Sequence, residues 1–147
     1  MSSQVSQVSA CAADLQARLQ SIAKLNNKNL FVFDEGDLLD KIKGAIFPAA
    51  GVVYEGMRAL PESGHSKIGI TAEVVFSILV LSRGENIANV DSKTPMLGLL
   101  DTVRRSIVSA RSPTGQPWKF LVEAAVKQEK GVVFWVQRWS TIITIIA

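Results

Sequence analysis

The chain has 147 residues, 48% of them hydrophobic and 20% charged, which is enough apolar material for one core but short for two. Sixteen Lys and Arg are dispersed among thirteen Asp and Glu, for a formal net charge of +3, with no basic stripe of the kind that gathers phosphate contacts. Cys11 is the sole cysteine, which excludes an intrachain disulfide and fits a reducing compartment. One domain spanning 1–147 is expected, with 1–9 as a flexible lead-in.

The N-terminus, Met1 to Gln7, is polar and uncharged and lacks the pattern of a secretion signal. Val8, Ala12, Leu15, Leu19 and Ile22 then recur at helical spacing, with Ser9 as the expected N-cap, and the asparagine-rich run from Asn26 to Asn29 ends that helix. Leu30 to Phe33 reads as a short strand. A second short helix is expected to carry Leu38, Ile42, Ala45 and Ile46 on one face, limited by Gly44 and Pro48.

From Gly51 to Ala59 the texture alternates with period two, and Ile68 to Ser82 is a long strand nearly free of charge after Glu73. Continuous apolar character predicts a central strand covered on both faces. Together these make a hairpin whose loop holds Glu62, Gly64, His65 and Lys67. Thr94 and Pro95 predict a helix start, with Met96, Leu99, Leu100, Val103 and Ile107 buried and Asp101 and Arg105 paired in solvent. After the breaker cluster Ser112, Pro113, Gly115 and Pro117, a final hairpin runs from Trp118 to Val126 and from Val132 to Ile146. The predicted class is α+β, a mostly antiparallel sheet of two hairpins flanked by two or three helices.

Chemistry-bearing residues are sparse. His65 is the only histidine and lies in a Gly/Ser loop, whereas a catalytic imidazole needs a fixed tautomer and an orienting partner. One Cys and one His cannot supply a zinc site. Asp34, Glu35, Asp37 and Asp40 form the one acidic cluster that could hold a cation, but acids at a helix start ordinarily serve the helix dipole. No glycine loop matches a phosphate-binding fingerprint. The expectation is a non-enzyme with no metal and no cofactor. Trp118, Trp135 and Trp139 beside Lys119 and Arg138 leave a base-stacking, nucleic-acid-binding module as an alternative.

The last strand is the most informative segment. Val133, Trp135, Trp139, Ile143 and Ile145 alternate with Val132, Phe134, Val136, Ile142 and Ile146, so both faces are apolar. Either helices cover both faces or a neighbouring subunit covers one. Trp135, Trp139, Ile143 and Ile145 are therefore the candidate subunit interface. Apolar stretches 74–81 and 131–147 are too short to cross a bilayer as helices, which takes about 20 residues, and no membrane partner is expected.

The order of elements, a leading helix, a hairpin through Tyr54 and Val74 to Leu81, a helix from Pro95 to Ala110, then Trp118 and a terminal strand ending Ile142 to Ile146, resembles the tail-terminator (tail-completion) proteins of tailed bacteriophages from about Leu15 onward. The resemblance implies a virion protein assembled in the host cytoplasm. Its ring of six copies would cap the tail tube and join it to the head-side connector, with sheath proteins as further partners and non-specific contact with DNA in the lumen. Another head-tail connector or neck protein is the nearest alternative. Arg58, Glu62, His65, Lys67, Arg83, Asn86 and Lys93 are the residues expected in loops reaching axial partners or the lumen.

Overall fold

The computed structural model describes residues 6–22, 25, 30–32, 48–61, 69–83, 90–129 and 132–146. In chain order these form α1 (Gln7–Gln20), β1 (Leu30–Val32), β2 (Ala49–Ala59), β3 (Gly69–Arg83), α2 (Val90–Ile107), β4 (Lys119–Glu129) and β5 (Val132–Ile146). The expected helix carrying Leu38 to Ile46 lies outside the described residues.

The strands form one five-stranded sheet in the order β1-β2-β3-β5-β4. β2 with β3 and β4 with β5 are the two hairpins, and antiparallel β3 and β5 join them along their full length, from Gly69 opposite Ile146 to Arg83 opposite Val132. β1 alone pairs in parallel, and it reaches only Ala50, Gly51 and Val52 of β2. The fold is thus α+β with an antiparallel sheet at its centre, and β3 is the central strand its apolar run predicts.

α1 starts earlier than Ser9. Ser6 is the N-cap, its hydroxyl accepting a hydrogen bond from the Ser9 amide at 3.3 Å, and this satisfies one of the donors a helix start leaves orphaned. Its apolar stripe, Cys11, Leu15 and Leu19, is wholly buried. α2 also begins before its expected start. Pro95 lies inside the helix rather than at its first position, where it forfeits one backbone bond to the carbonyl a turn earlier. Met96, Leu99, Leu100, Val103 and Ile107 form the buried stripe as predicted, and Arg105 and Asp101 pair at 3.0 Å in solvent. Beyond α2, Gly115 adopts a φ of 85°, open to glycine and rare for other residues, and the 111–117 loop closes with a bridge between Arg111 and Pro117.

Both helices pack on one face of the sheet. Residues from α1 and α2 meet Ala50 and Val52 of β2, alternate residues Ala72 to Val80 of β3, and Trp139 and Ile143 of β5 in one core. A second, smaller cluster lies on the other face, where Ala49, Leu81 and Phe134 stand in one cross-strand row beside Val132.

Polar locks hold the helices to the sheet. Gln137, fully buried, donates from one amide to the Leu100 carbonyl at 3.0 Å and to Glu123 at 2.8 Å, and its oxygen accepts from the Trp139 indole at 3.2 Å. Arg104 of α2 closes on the same Glu123 carboxylate. On α1, Asp14 accepts from the Trp118 indole at 2.9 Å while Arg18 donates to the Ser106 carbonyl at 3.1 Å. A buried polar group satisfied this fully contributes positioning at little desolvation penalty.

Candidate interaction surface

Among the described residues no group of three His, Cys, Asp or Glu side chains could hold a metal ion. His65 and the acidic cluster Asp34, Glu35, Asp37 and Asp40 lie outside the described residues. Cys11 is buried, and burial, with a smaller push from Asp14, raises its thiol from 9.0 to about 11, which keeps it protonated near neutral pH. A shallow cavity of about 480 Å³ lies between the start of α1, the 111–117 loop and the end of β5. Its lining includes Gln7, Thr71, Thr114, Gln116 and Thr144 and carries no ionisable side chain, which leaves it without an acid or base. No described helix is long and apolar enough to cross a membrane.

On the surface of the described residues the structure redistributes the expected interface residues. Trp139 is 0% and Ile143 2% exposed within a single chain. Both point to the helix face and are covered by the chain's own α1 and α2, so the expectation that a neighbouring subunit covers them is corrected. Trp135 is partly buried against the same core, while Ile145 is exposed beside Ile70, its cross-strand neighbour. Base stacking by Trp118 and Trp139 is corrected for the same reason. Trp118 is buried against Phe76 at 6.0 Å between ring centres, and Phe120 lies edge-on over Trp139 at 5.1 Å.

Three of the expected loop residues sit in regular elements instead. Arg58 is on β2, exposed and paired with Glu73 at 3.1 Å; Arg83 is the last residue of β3; Lys93 lies in the first turns of α2. Arg58 falls within the alternating run Gly51 to Ala59 itself, while β3 runs past Ser82 and α2 starts before Thr94. Glu62, His65, Lys67 and Asn86 lie outside the described residues.

The other face of the sheet, called the open face because no described helix packs on it, is polar at its middle. Arg138 of β5 reaches across β3 to Glu55 of β2 at 2.8 Å, and the Ser77 hydroxyl between them also donates to Glu55. One row on, Ser140 donates to Glu73 at 3.1 Å and Arg58 pairs with the same carboxylate. These residues occupy cross-strand positions on three strands, where opposite charges reinforce register.

Among the described residues, Leu97 and Val108, on and just after α2, and Ile142 on β5 are exposed apolar side chains, and most of the others lie toward two flanks of the sheet. On the β4 side, Phe120, Leu121, Val122 and Val126 are exposed, Val126 at 62%. On the β2 side and its adjoining end, Tyr54, Met57, Ile70 and Ile145 are exposed. Of these only Ile145 belongs to the expected interface. Leu121 and Val126 are bulge residues, extra within the ladder to β5, and a bulge re-aims a side chain out of alternation. The unbroken apolar triplet Phe120, Leu121 and Val122 was the available signal, since regular alternation cannot bury all three.

No family model matches the chain and no curated protein matches its sequence. Among solved structures, the fold is similar to a chain of the virion of a native gene transfer agent (GTA) particle, with a TM-score of 0.61 and 17% identity over 96% of this chain and 99% of that one. The likeness is one of fold, and it takes in both hairpins and both helices rather than a single motif.

Proposed function

We propose that this chain is a structural virion protein that closes into a ring of six copies, caps a tail tube and joins it to the head-side connector. The observation that carries the reading is the near-complete mutual coverage of this fold and a chain of the GTA virion. It agrees with the separate resemblance of the element order to tail-terminator proteins. The role assigned is assembly and not catalysis, in keeping with a surface whose distinctive features are apolar flanks. Sheath proteins are further candidate partners, and DNA passing the lumen would meet exposed cations without sequence readout.

A ring built head to tail needs two different patches on each copy. The β4 flank and the β2 flank are two such patches, separated by the width of the sheet and unlike each other in composition. Light scattering and electron microscopy of the purified chain, alone and with tail tubes, test the reading. The expected result is a discrete ring that binds one end of the tube; a monomer at every concentration, tubes present or not, would overturn it.

A further inference from the structure

Among the described residues, both outer margins of the sheet keep free backbone. β4 is an edge strand over all of Lys119–Glu129, and β1 covers β2 only at Ala50 to Val52, leaving Val53 to Ala59 without a partner on that side. A free edge of this kind is a template for another strand. We propose that copies of this chain join through these two edges, the outer half of β2 in one copy lying antiparallel against β4 of the next. This rests on the ring reading and names the contact that would close the ring.

Direction is the first reason. β2 and β5 run one way and β3 and β4 the other. Rotation about an axis along the strands preserves those directions, so β4 of one copy meets β2 of the next antiparallel and the sheet continues from copy to copy. A two-fold pairing of β4 with itself would leave the β2 edge open and stop at dimers.

Facing is the second reason. Met57 and Ala59 stand opposite Val74 and Ala72 on the helix face, whereas Arg58 stands opposite Glu73 on the open face. In β4, Glu123 and Ala125 stand opposite Gln137 and Trp135 on the helix face, with Val122 and Ala124 on the open face. A slip of one residue would invert every side chain, so within the regular segment between the bulges, Val122 to Ala125, Met57 faces either Ala125 or Glu123. Glu123 is already held by Arg104 and Gln137, and placing a thioether over it gains nothing. Ala125 is the match, and it sets Arg58 opposite Ala124.

Shape agrees with that register. Large Met57 and Arg58 meet small, exposed Ala125 and Ala124. Val126, the most exposed apolar side chain of β4, meets Gly56, where the space of a missing Cβ has nothing within 4 Å and a φ of 125° favours glycine. Bulges end the regular segments on both strands at this point, Glu55 on β2 and Val126 on β4, so only a short, matched stretch is offered and indiscriminate edge pairing is discouraged.

The test is cross-linking between co-expressed single-cysteine variants, Met57→Cys and Ala125→Cys, with a short bismaleimide at neutral pH. Native Cys11 is fully buried and stays silent. Neither variant alone should cross-link; the co-expressed pair should give covalent dimers, and the double variant a ladder ending at the ring. Leu97→Cys, exposed on α2 and on neither edge strand, paired with Met57→Cys, should give none. Dimers from Ala125→Cys alone would overturn the proposal in favour of two-fold β4 pairing. Rings seen by light scattering with no product from the pair would overturn this contact and leave the ring standing; a monomer throughout would remove both.

Discussion

In one cross-strand row of the sheet, Phe76 faces Trp139 and both are fully buried beneath the helices; in the next row, Ser77 faces Arg138 and the arginine reaches out to Glu55. The two faces thus differ in what they ask of a substitution. On the helix face, side chains touch neighbours on every side and any lost volume leaves a void. On the open face at mid-sheet, ion pairs lie in or near water, where removal exposes groups that solvent can satisfy. The difference separates surface that α1 and α2 cover from surface over which no described helix packs.

Trp139→Ala should give the largest effect. It empties the biggest fully buried side chain, removes the ring under Phe120 and leaves Gln137 without its indole donor. A loss of about 3–5 kcal/mol is expected from large-to-small changes of this kind, read as a lowered denaturant midpoint. A near-neutral outcome would mean that the indole is covered by another copy and not by α1 and α2. The comparison of faces would then fail.

Gln137→Ala is the second probe, and it asks whether the helix face needs its polar lock. Without the amide, the Glu123 carboxylate keeps Arg104, but the Leu100 carbonyl and the Trp139 indole lose their partner in a buried site. Unpaired buried groups cost about 1–3 kcal/mol. Chemical denaturation checks the value, and a gain in stability would show that the lock serves specificity alone.

Much of the fold was legible before any coordinates because both periodicities are strong. The stripe Met96, Leu99, Leu100, Val103 and Ile107 marks α2, and the Asp101 to Arg105 spacing marks its wet side. Both hairpins are visible from their turns. What local pattern cannot give is which hairpin strands become neighbours. β3 and β5 meet far apart in sequence, from Arg83 opposite Val132 to Gly69 opposite Ile146, and the cost of closing such a loop depends only weakly on its length. That pairing decides that β5 is interior and β4 is the edge. Reading β5 alone, both of its faces look too apolar for one chain, yet Trp139 and Ile143 are absorbed by the helices and Phe134 by Leu81 and Ala49. Three bulges, at Glu55, Leu121 and Val126, shift the alternation and hide the exposed flanks from a period-two reading.

Arg138→Ala should have the smallest effect and is the sharpest test of the open face. The guanidinium is 49% exposed and its partner Glu55 31%, so solvent screens the pair, and exposed pairs of this kind contribute about 0–1 kcal/mol. Glu55 also keeps the Ser77 hydroxyl when the arginine is gone, which lowers the cost further. The difference from the parent chain should shrink as salt is raised, and a double-mutant cycle with Glu55→Gln should return a coupling within that range. A loss several times larger, insensitive to salt, would mean that something covers this face in solution. The ring contact would then have to be sought there, over the Glu55 and Arg138 row, and not at the two strand edges.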